Sequence, residues 1–437
     1  MGNGVNFMDK NAERNRFPWR IRRIIDTVRS QWLYPDSVRL DGFQYRDGQY
    51  RFDQIDEGEW RDFDTEKELW GYPECYAWFR HRFEIPASFA GKPVLYEVMP
   101  HESGEWRQTN PQLILYANGK LIQGMDSNHQ FVRLTDCAKA GEKYDVCINA
   151  HTDAFAYKGR VMMRAQIKTV DDFVQKLVFD LQTPLEVANL YSVDDLPRVD
   201  IVRVLNEAAG LIDLYAADYE TFRKSGEAAI ALLDKEIYGK DNAEALVSCI
   251  GHTHIDVAWL WRLRQTRDKT GRSFATVLKY MEEYPEYKFM SPQAQLYDYC
   301  RQDYPELYEE IKKRVAEGRW EVSASTWVEG DKNMPSGESF ARHLLYTRRY
   351  LSDLLSIPGE SLCLDFEPDT FGHSRNVPEI LADAGIKYYY HCRGNDTEVL
   401  YRWRAESDAI AAGIGTVLAD DPLLTARPDP SGVPYVS

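Results

Sequence analysis

A chain of 437 residues is too long for one ordinary domain, and at 44% hydrophobic residues it can fill several cores. Its net charge of −16 argues against nucleic acid, because a phosphate-binding surface needs clustered Lys and Arg. No apolar run approaches the length of a membrane span, and the opening MGNGVNFMDKNAERNRF lacks the apolar core of a signal peptide, so cytoplasm is the expected location. The seven cysteines are scattered without a CxxC pair, which predicts free, mostly buried thiols rather than a thiolate metal site. Aromatic residues at 13% are compatible with a protein that handles sugars, whose C–H-rich faces stack on rings.

Residues 1–69 read as an N-terminal helical and irregular segment, with one basic, partly apolar helix over 17–35. Residues 70–190 change character. Runs such as YAWFRHRFEI (76–85), VLYEVM (94–99), QLILYANGKLI (112–122) and YDVCINAHT (144–152) are short, aromatic or β-branched, and punctuated by Gly, Pro and Asn. That pattern predicts a β-sandwich, with Asn118-Gly119 as a hairpin turn because both residues tolerate positive φ. The sandwich is expected either to bind carbohydrate or only to pack against its neighbour. Residues 196–245 return to a helical period, with Ile201, Val204, Leu205, Ala208, Leu211, Ile212 and Tyr215 on one stripe, and are expected to form a connector. A second helix there ends in Gly239. From 246 to 404 strands and helices alternate, which implies a mostly parallel sheet, open or closed as a barrel. Ligands of such folds bind at the C-terminal ends of the strands.

Three segments at those ends carry chemistry. Gly251-His252-Thr253-His254-Ile255-Asp256 follows a short apolar strand, and alternation would project His252, His254 and Asp256 to one side, a start on a divalent metal site. The alternative is hydrogen-bonded histidines with no metal. Glu367-Pro368-Asp369-Thr370-Phe371-Gly372-His373 ends a later strand, where Asp365, Glu367 or Asp369 could complete the site and His373 could ligate or cap a helix. Trp327-Val328-Glu329-Gly330-Asp331 brings two further carboxylates to the rim, and Trp259 stands beside it as core or as a sugar-stacking wall.

The segments GHTHIDVAWLW (251–261), STWVEGDKNMPSGESFARHLLY (325–346) and DFEPDTFGHSRNVPEIL (365–381) together resemble the α-mannosidases of glycoside hydrolase family 38, closest to their cytosolic and vacuolar branch. The resemblance runs from about Trp32 to Arg404. It implies a multidomain protein with a β-sandwich, a helical connector and the first part of an α/β, (β/α)7-barrel-like catalytic domain, truncated here. It implies zinc, with cobalt as the other accepted ion, on His254, Asp256 and Asp369. Asp369 would also be the nucleophile of a retaining reaction on an α-mannoside oligosaccharide. Trp259 and Phe371 would line the mannose subsite, Arg393 would hydrogen-bond the nucleophile, and His252 would stand behind the ligands. In the family a fourth ligand, a histidine, and a general acid, an aspartate, lie far beyond the nucleophile. Here the last histidine is His391, and Asp396, Asp408, Asp420, Asp421 and Asp429 fit no such context. Residues 405–437, poor in aromatics and without strand-helix rhythm, leave the pattern; a change of reading frame is the expected cause, and at most weak turnover is expected. The competing expectations are a metal-dependent deacetylase or amidohydrolase, which uses metal-bound water, and a non-catalytic carbohydrate-binding remnant. A homo-oligomer is compatible with all of them.

Overall fold

The computed structural model describes residues 16–99, 111–152, 161–239, 248–323 and 326–391, with four short strand pieces further along the chain. Helix α1 (Arg16–Val28) continues in a wider turn to Leu33. Ten strands follow: β1 (Ser37–Leu40), β2 (Phe43–Asp47), β3 (Arg61–Phe63), β4 (Tyr76–Glu84), β5 (Val94–Met99), β6 (Gln112–Ala117), β7 (Lys120–Met125), β8 (Phe131–Thr135), β9 (Lys143–His151) and β10 (Arg164–Thr169). They form two antiparallel sheets, one in the order β1-β10-β5-β8 and one in the order β3-β2-β4-β9-β6-β7. The expected sandwich is present, and Asn118 and Gly119 make its hairpin with φ of 49° and 82°.

The sandwich begins earlier than residue 70. The stretch 37–63, expected to be irregular, supplies β1, β2 and β3, which pair with β10, β4 and β2 respectively. Segments such as SVRL and FQYRD are short and polar on their outer face, so their extended form rests on partners distant in sequence rather than on their own pattern.

Strand β4 shows how one period-2 element serves two cores. Ala77 and Phe79 point into the sandwich with Phe43, Leu113 and Ile148. Trp78, on the opposite face, joins Ile114, Tyr116, Phe274 and Trp320 in the core of the C-terminal half.

Helices α2 (Asp172–Ala188), α3 (Leu196–Leu211) and α4 (Tyr219–Leu233) pack with α1 around Ile21, Val28, Leu177, Leu181, Leu205, Ala208 and Phe222. The expected connector is therefore part of a four-helix cluster that also takes in the chain before the sandwich. Asp171 caps α2 by accepting from the Val174 amide at 2.9 Å, and Asp218 caps α4 from Thr221 at 2.8 Å. Of the expected apolar stripe Val204, Leu205, Ala208 and Ile212 are buried, but Leu211, the last residue of α3, is exposed, and Tyr215 is 96% exposed because α3 stops at Leu211 and the helical period no longer applies.

In the C-terminal half β11 (Gly251–His252), α5 (Leu263–Glu283), β12 (Phe289–Ser291), α6 (Ala294–Asp303), α7 (Pro305–Ala316), β13 (Trp320–Val322), α8 (Gly337–Leu355), β14 (Leu364–Glu367), α9 (Val377–Asp383) and β15 (Tyr388–His391) alternate as expected. Strands β11, β12 and β13 pair in parallel, as do β14 and β15. Helix α5 lies on edge strand β7. At Gly124 a Cβ would come within 2.8 Å of the Arg272 Cβ, so only glycine allows this approach. The Gly124 amide donates to Thr276 Oγ1 at 3.2 Å, which satisfies part of the strand's open edge.

The six described cysteines are free thiols, with Cys75, Cys147 and Cys300 buried and Cys137 and Cys249 exposed. Among the described residues no helix is long and apolar enough to cross a membrane.

Two buried histidines make the fold sensitive to acid. His81 meets the Tyr96 hydroxyl at 2.8 Å, and His151 bonds the Cys75 carbonyl at 3.0 Å and Gln265 of α5 at 2.8 Å. Burial pushes each imidazole down to about 3. The unfolded chain therefore binds more protons between about pH 6.5 and 3, and stability falls as the pH drops through that window. Each histidine should cost about 2 kcal/mol by pH 5. Thermal melts at pH 7.5 and 5 should show the loss, and His81→Phe should shrink it; equal acid sensitivity in the variant would contradict this account.

Candidate metal centre at the strand ends

The segment after β11 leaves the sheet at Thr253 and runs on to α5. Its backbone is fixed by side chains from elsewhere. Gln293, 2% exposed, donates from Nε2 to the Ile255 carbonyl at 2.8 Å, and Thr266 Oγ1 donates to the Asp256 carbonyl at 3.3 Å. This directs His254 and Asp256 toward the loop that follows β14. There one ligand atom each of His254, Asp256 and Asp369 lies within 4.8 Å of the others. His254 Nε2 stands 3.3 Å from Asp256 Oδ1 and 3.9 Å from Asp369 Oδ2.

Three of the expected residues thus converge. His252 stays outside the cluster, exposed, with its ring 5.2 Å from that of Phe366. Strand pairing ends at His252, so alternation does not carry its side chain to the same side as the other two. Trp259 and Phe371 are both solvent-exposed, at 66% and 56%, as stacking surfaces must be before a ligand arrives. Arg393 lies outside the described residues.

The other acidic residues of the third motif go elsewhere. Asp365 and Glu367 are buried and face Lys332, whose Nζ is 2.8 Å from Asp365 Oδ2 and 2.7 Å from Glu367 Oε1. Thr326 and Thr370 hydroxyls donate to Glu367 at 3.2 and 2.6 Å. Burial raises the Glu367 carboxyl well above the usual range, with Lys332 pulling the other way. Burial would lower the Lys332 ammonium, but Asp365 and Glu367 overcome it and hold it above its ordinary value. His373 is outside the His254, Asp256 and Asp369 cluster, and its Nδ1 lies 2.6 Å from the Tyr389 hydroxyl.

Both carboxylates of the middle motif reach the rim. Glu329 Oε2 is 2.9 Å from His254 Nδ1, and Asp331 Oδ1 accepts from the Phe371 amide at 2.8 Å. The close contact with Glu329, opposed by burial and assisted by the charges of Glu329 and Asp256, holds His254 up to about 9. The donor set of one imidazole nitrogen and two carboxylates, part-exposed on one side, fits a divalent metal that accepts both nitrogen and oxygen. Sequence reasoning missed Lys332 and Gln293. Neither sits in a pattern that marks it, and only the packing of 326–332 and 293 between the two motifs gives them a place.

The β/α half, with its His/Asp/Asp cluster at the strand ends, is the part of the chain that resembles known glycoside hydrolases. Residues 244–404 match the model of the glycosyl hydrolases family 38 N-terminal domain. The chain is 28% identical over 380 residues to "Alpha-mannosidase G" of Dictyostelium discoideum, which covers 81% of this chain and 32% of that protein. It is 27% identical over 332 residues to "Alpha-mannosidase 2C1" of Homo sapiens, covering 71% and 30%, and 34% identical over 158 residues to the "Alpha-mannosidase" of Saccharomyces cerevisiae, covering 36% and 14%. The match to glycoside hydrolase family 38 thus lies in the β/α half, and the chain spans about a third of the length of the first two relatives.

Removing Lys332 would leave Asp365 and Glu367 facing each other in the interior. Lys332→Met should lower unfolding free energy by about 3–5 kcal/mol, as expected when one partner of a buried ion pair is lost. Urea denaturation at pH 7 measures it, and a loss below about 1 kcal/mol would show that the cluster is already neutral.

Proposed function

We propose that this chain carries the nucleophile half of a zinc-dependent retaining α-mannosidase active site, acting on terminal α-mannosyl residues of oligosaccharides. The observation that carries the reading is the convergence of His254, Asp256 and Asp369 from two separate strand ends. On this reading residues 246–404 are the first part of a (β/α)7-barrel-like catalytic domain, with the sandwich and the helical cluster as accessory units. Their relatives named as α-mannosidases support the sugar class.

Asp369 is the group that attacks. Its backbone amide is held by Glu329 Oε1 at 2.7 Å, which fixes the loop from which the carboxylate projects. Asp369 forms a bond to the anomeric carbon as the bond to the leaving oxygen breaks, and water later releases the sugar with retained configuration. His254, Asp256 and Asp369 would hold the cation, which supplies positive charge that keeps the carboxylate ionised and accepts vicinal sugar hydroxyls; zinc suits the donors best, with cobalt next. Trp259 and Phe371 offer exposed rings to the apolar face of the sugar. Arg393 is proposed to hydrogen-bond the Asp369 carboxylate, and His252 to act from behind the ligands.

A 5-fluoro-mannosyl fluoride tests the first step directly, because fluoride leaves without protonation and no general acid is needed. Mass mapping after incubation should place one covalent mannosyl label on the peptide that contains Asp369, and Asp369→Asn should abolish it. A label on another carboxylate, or substrate hydrolysis with no covalent species, would favour attack by metal-bound water instead. The protein should bind one zinc, and His254→Ala should weaken it by more than about a hundredfold, since loss of a ligand exceeds loss of its outer partner.

A further inference from the structure

We propose that Glu329 is a positioning residue that locks the two metal-bearing segments into one site, through His254 Nδ1 on one side and the Asp369 loop on the other. The inference rests on the metal reading given above and goes beyond its ligand set. The Glu329 side chain is 7% exposed and its two oxygens face different segments. Oε1 accepts from the Asp369 amide at 2.7 Å, while Oε2 lies 2.9 Å from His254 Nδ1 in a buried ion-pair contact whose alignment is not that of a hydrogen bond. A carboxylate placed this way leaves its ring neighbour one arrangement for metal binding: Nδ1 carries the proton, and the Nε2 lone pair faces Asp256 and Asp369.

Glu329 is itself held in place. Its backbone amide donates to Gln293 Oε1 at 3.1 Å, and the same Gln293 donates from Nε2 to the Ile255 carbonyl at 2.8 Å. His254, Ile255, Gln293 and Glu329 therefore close a ring of short contacts beside the ligands. With Oε1 committed to the Asp369 amide and Oε2 against the far nitrogen of His254, Glu329 does not join the ligand set. It acts through His254 and Asp369.

The test is zinc affinity of the full 437-residue chain, read by competition with a chromophoric chelator, for wild type, Glu329→Gln and Glu329→Ala. Melting temperatures of the metal-free proteins and visible spectra of the cobalt-loaded proteins accompany it. Glu329→Ala should weaken zinc by about 10- to 100-fold, the range for loss of an outer-shell partner. Its cobalt bands should shift as His254 loses its fixed orientation. Glu329→Gln, which keeps one acceptor oxygen, should lose less, and it carries the test if the alanine variant does not fold. Affinity within about threefold of wild type with an unchanged cobalt spectrum would overturn the proposal. So would a drop in affinity matched by an equal drop in metal-free stability across both variants, the signature of a merely structural role. Wild-type protein that takes up no zinc would instead overturn the metal reading itself, and this proposal with it.

Discussion

Crowding of like charge governs this half of the molecule. Asp256, Glu329, Asp331, Asp365, Glu367 and Asp369 all gather where β14 ends, and like charges so close cannot all stay ionised without compensation. Three devices divide the load. Lys332 neutralises the buried pair from below, His254 stands between Glu329 and the two outer carboxylates, and backbone amides of 369 and 371 take up Glu329 and Asp331. On the open side two aspartates and an imidazole nitrogen come together, a donor set that fits a divalent cation.

The sandwich is not a loosely tethered accessory. Trp78 from its central strand enters the core of the β/α half, α5 covers the open edge of β7 at Gly124, and His151 reaches Gln265 near the start of α5. The same helix, through Thr266, holds the backbone of Asp256. The sandwich thus bears on the site mechanically, by fixing the helix that follows the first ligand segment, whatever it binds on its own account.

Much of the architecture was legible in the sequence because its elements carry local signals. The hairpin at Asn118-Gly119, the alternation of strands and helices after residue 246 and the helix at the N-terminus depend on turn chemistry and periodicity within a few residues. The strands at 37–63 were not legible, because β1 becomes a strand through β10 and β2 through β4 as well as β3, partners that lie well outside their own local pattern. The exposure of Tyr215 escaped for a related reason: a stripe is meaningful only as far as the helix runs, and α3 ends at Leu211.

At the site the sequence by itself determined the ligand types. Two motifs supply His254, Asp256 and Asp369, and their family resemblance names them as a set. Alternation by itself could not separate Asp369 from Asp365 and Glu367, nor His254 from His252; only the resemblance did. Tertiary structure decided which of these side chains lie together, because that depends on what each one meets. Lys332 draws Asp365 and Glu367 inward, the end of strand pairing at His252 turns that ring aside, and Glu329 orients the one histidine that remains. Spacing along a chain fixes which groups are available; the neighbours brought by folding fix which of them keep a free electron pair pointed at the same place.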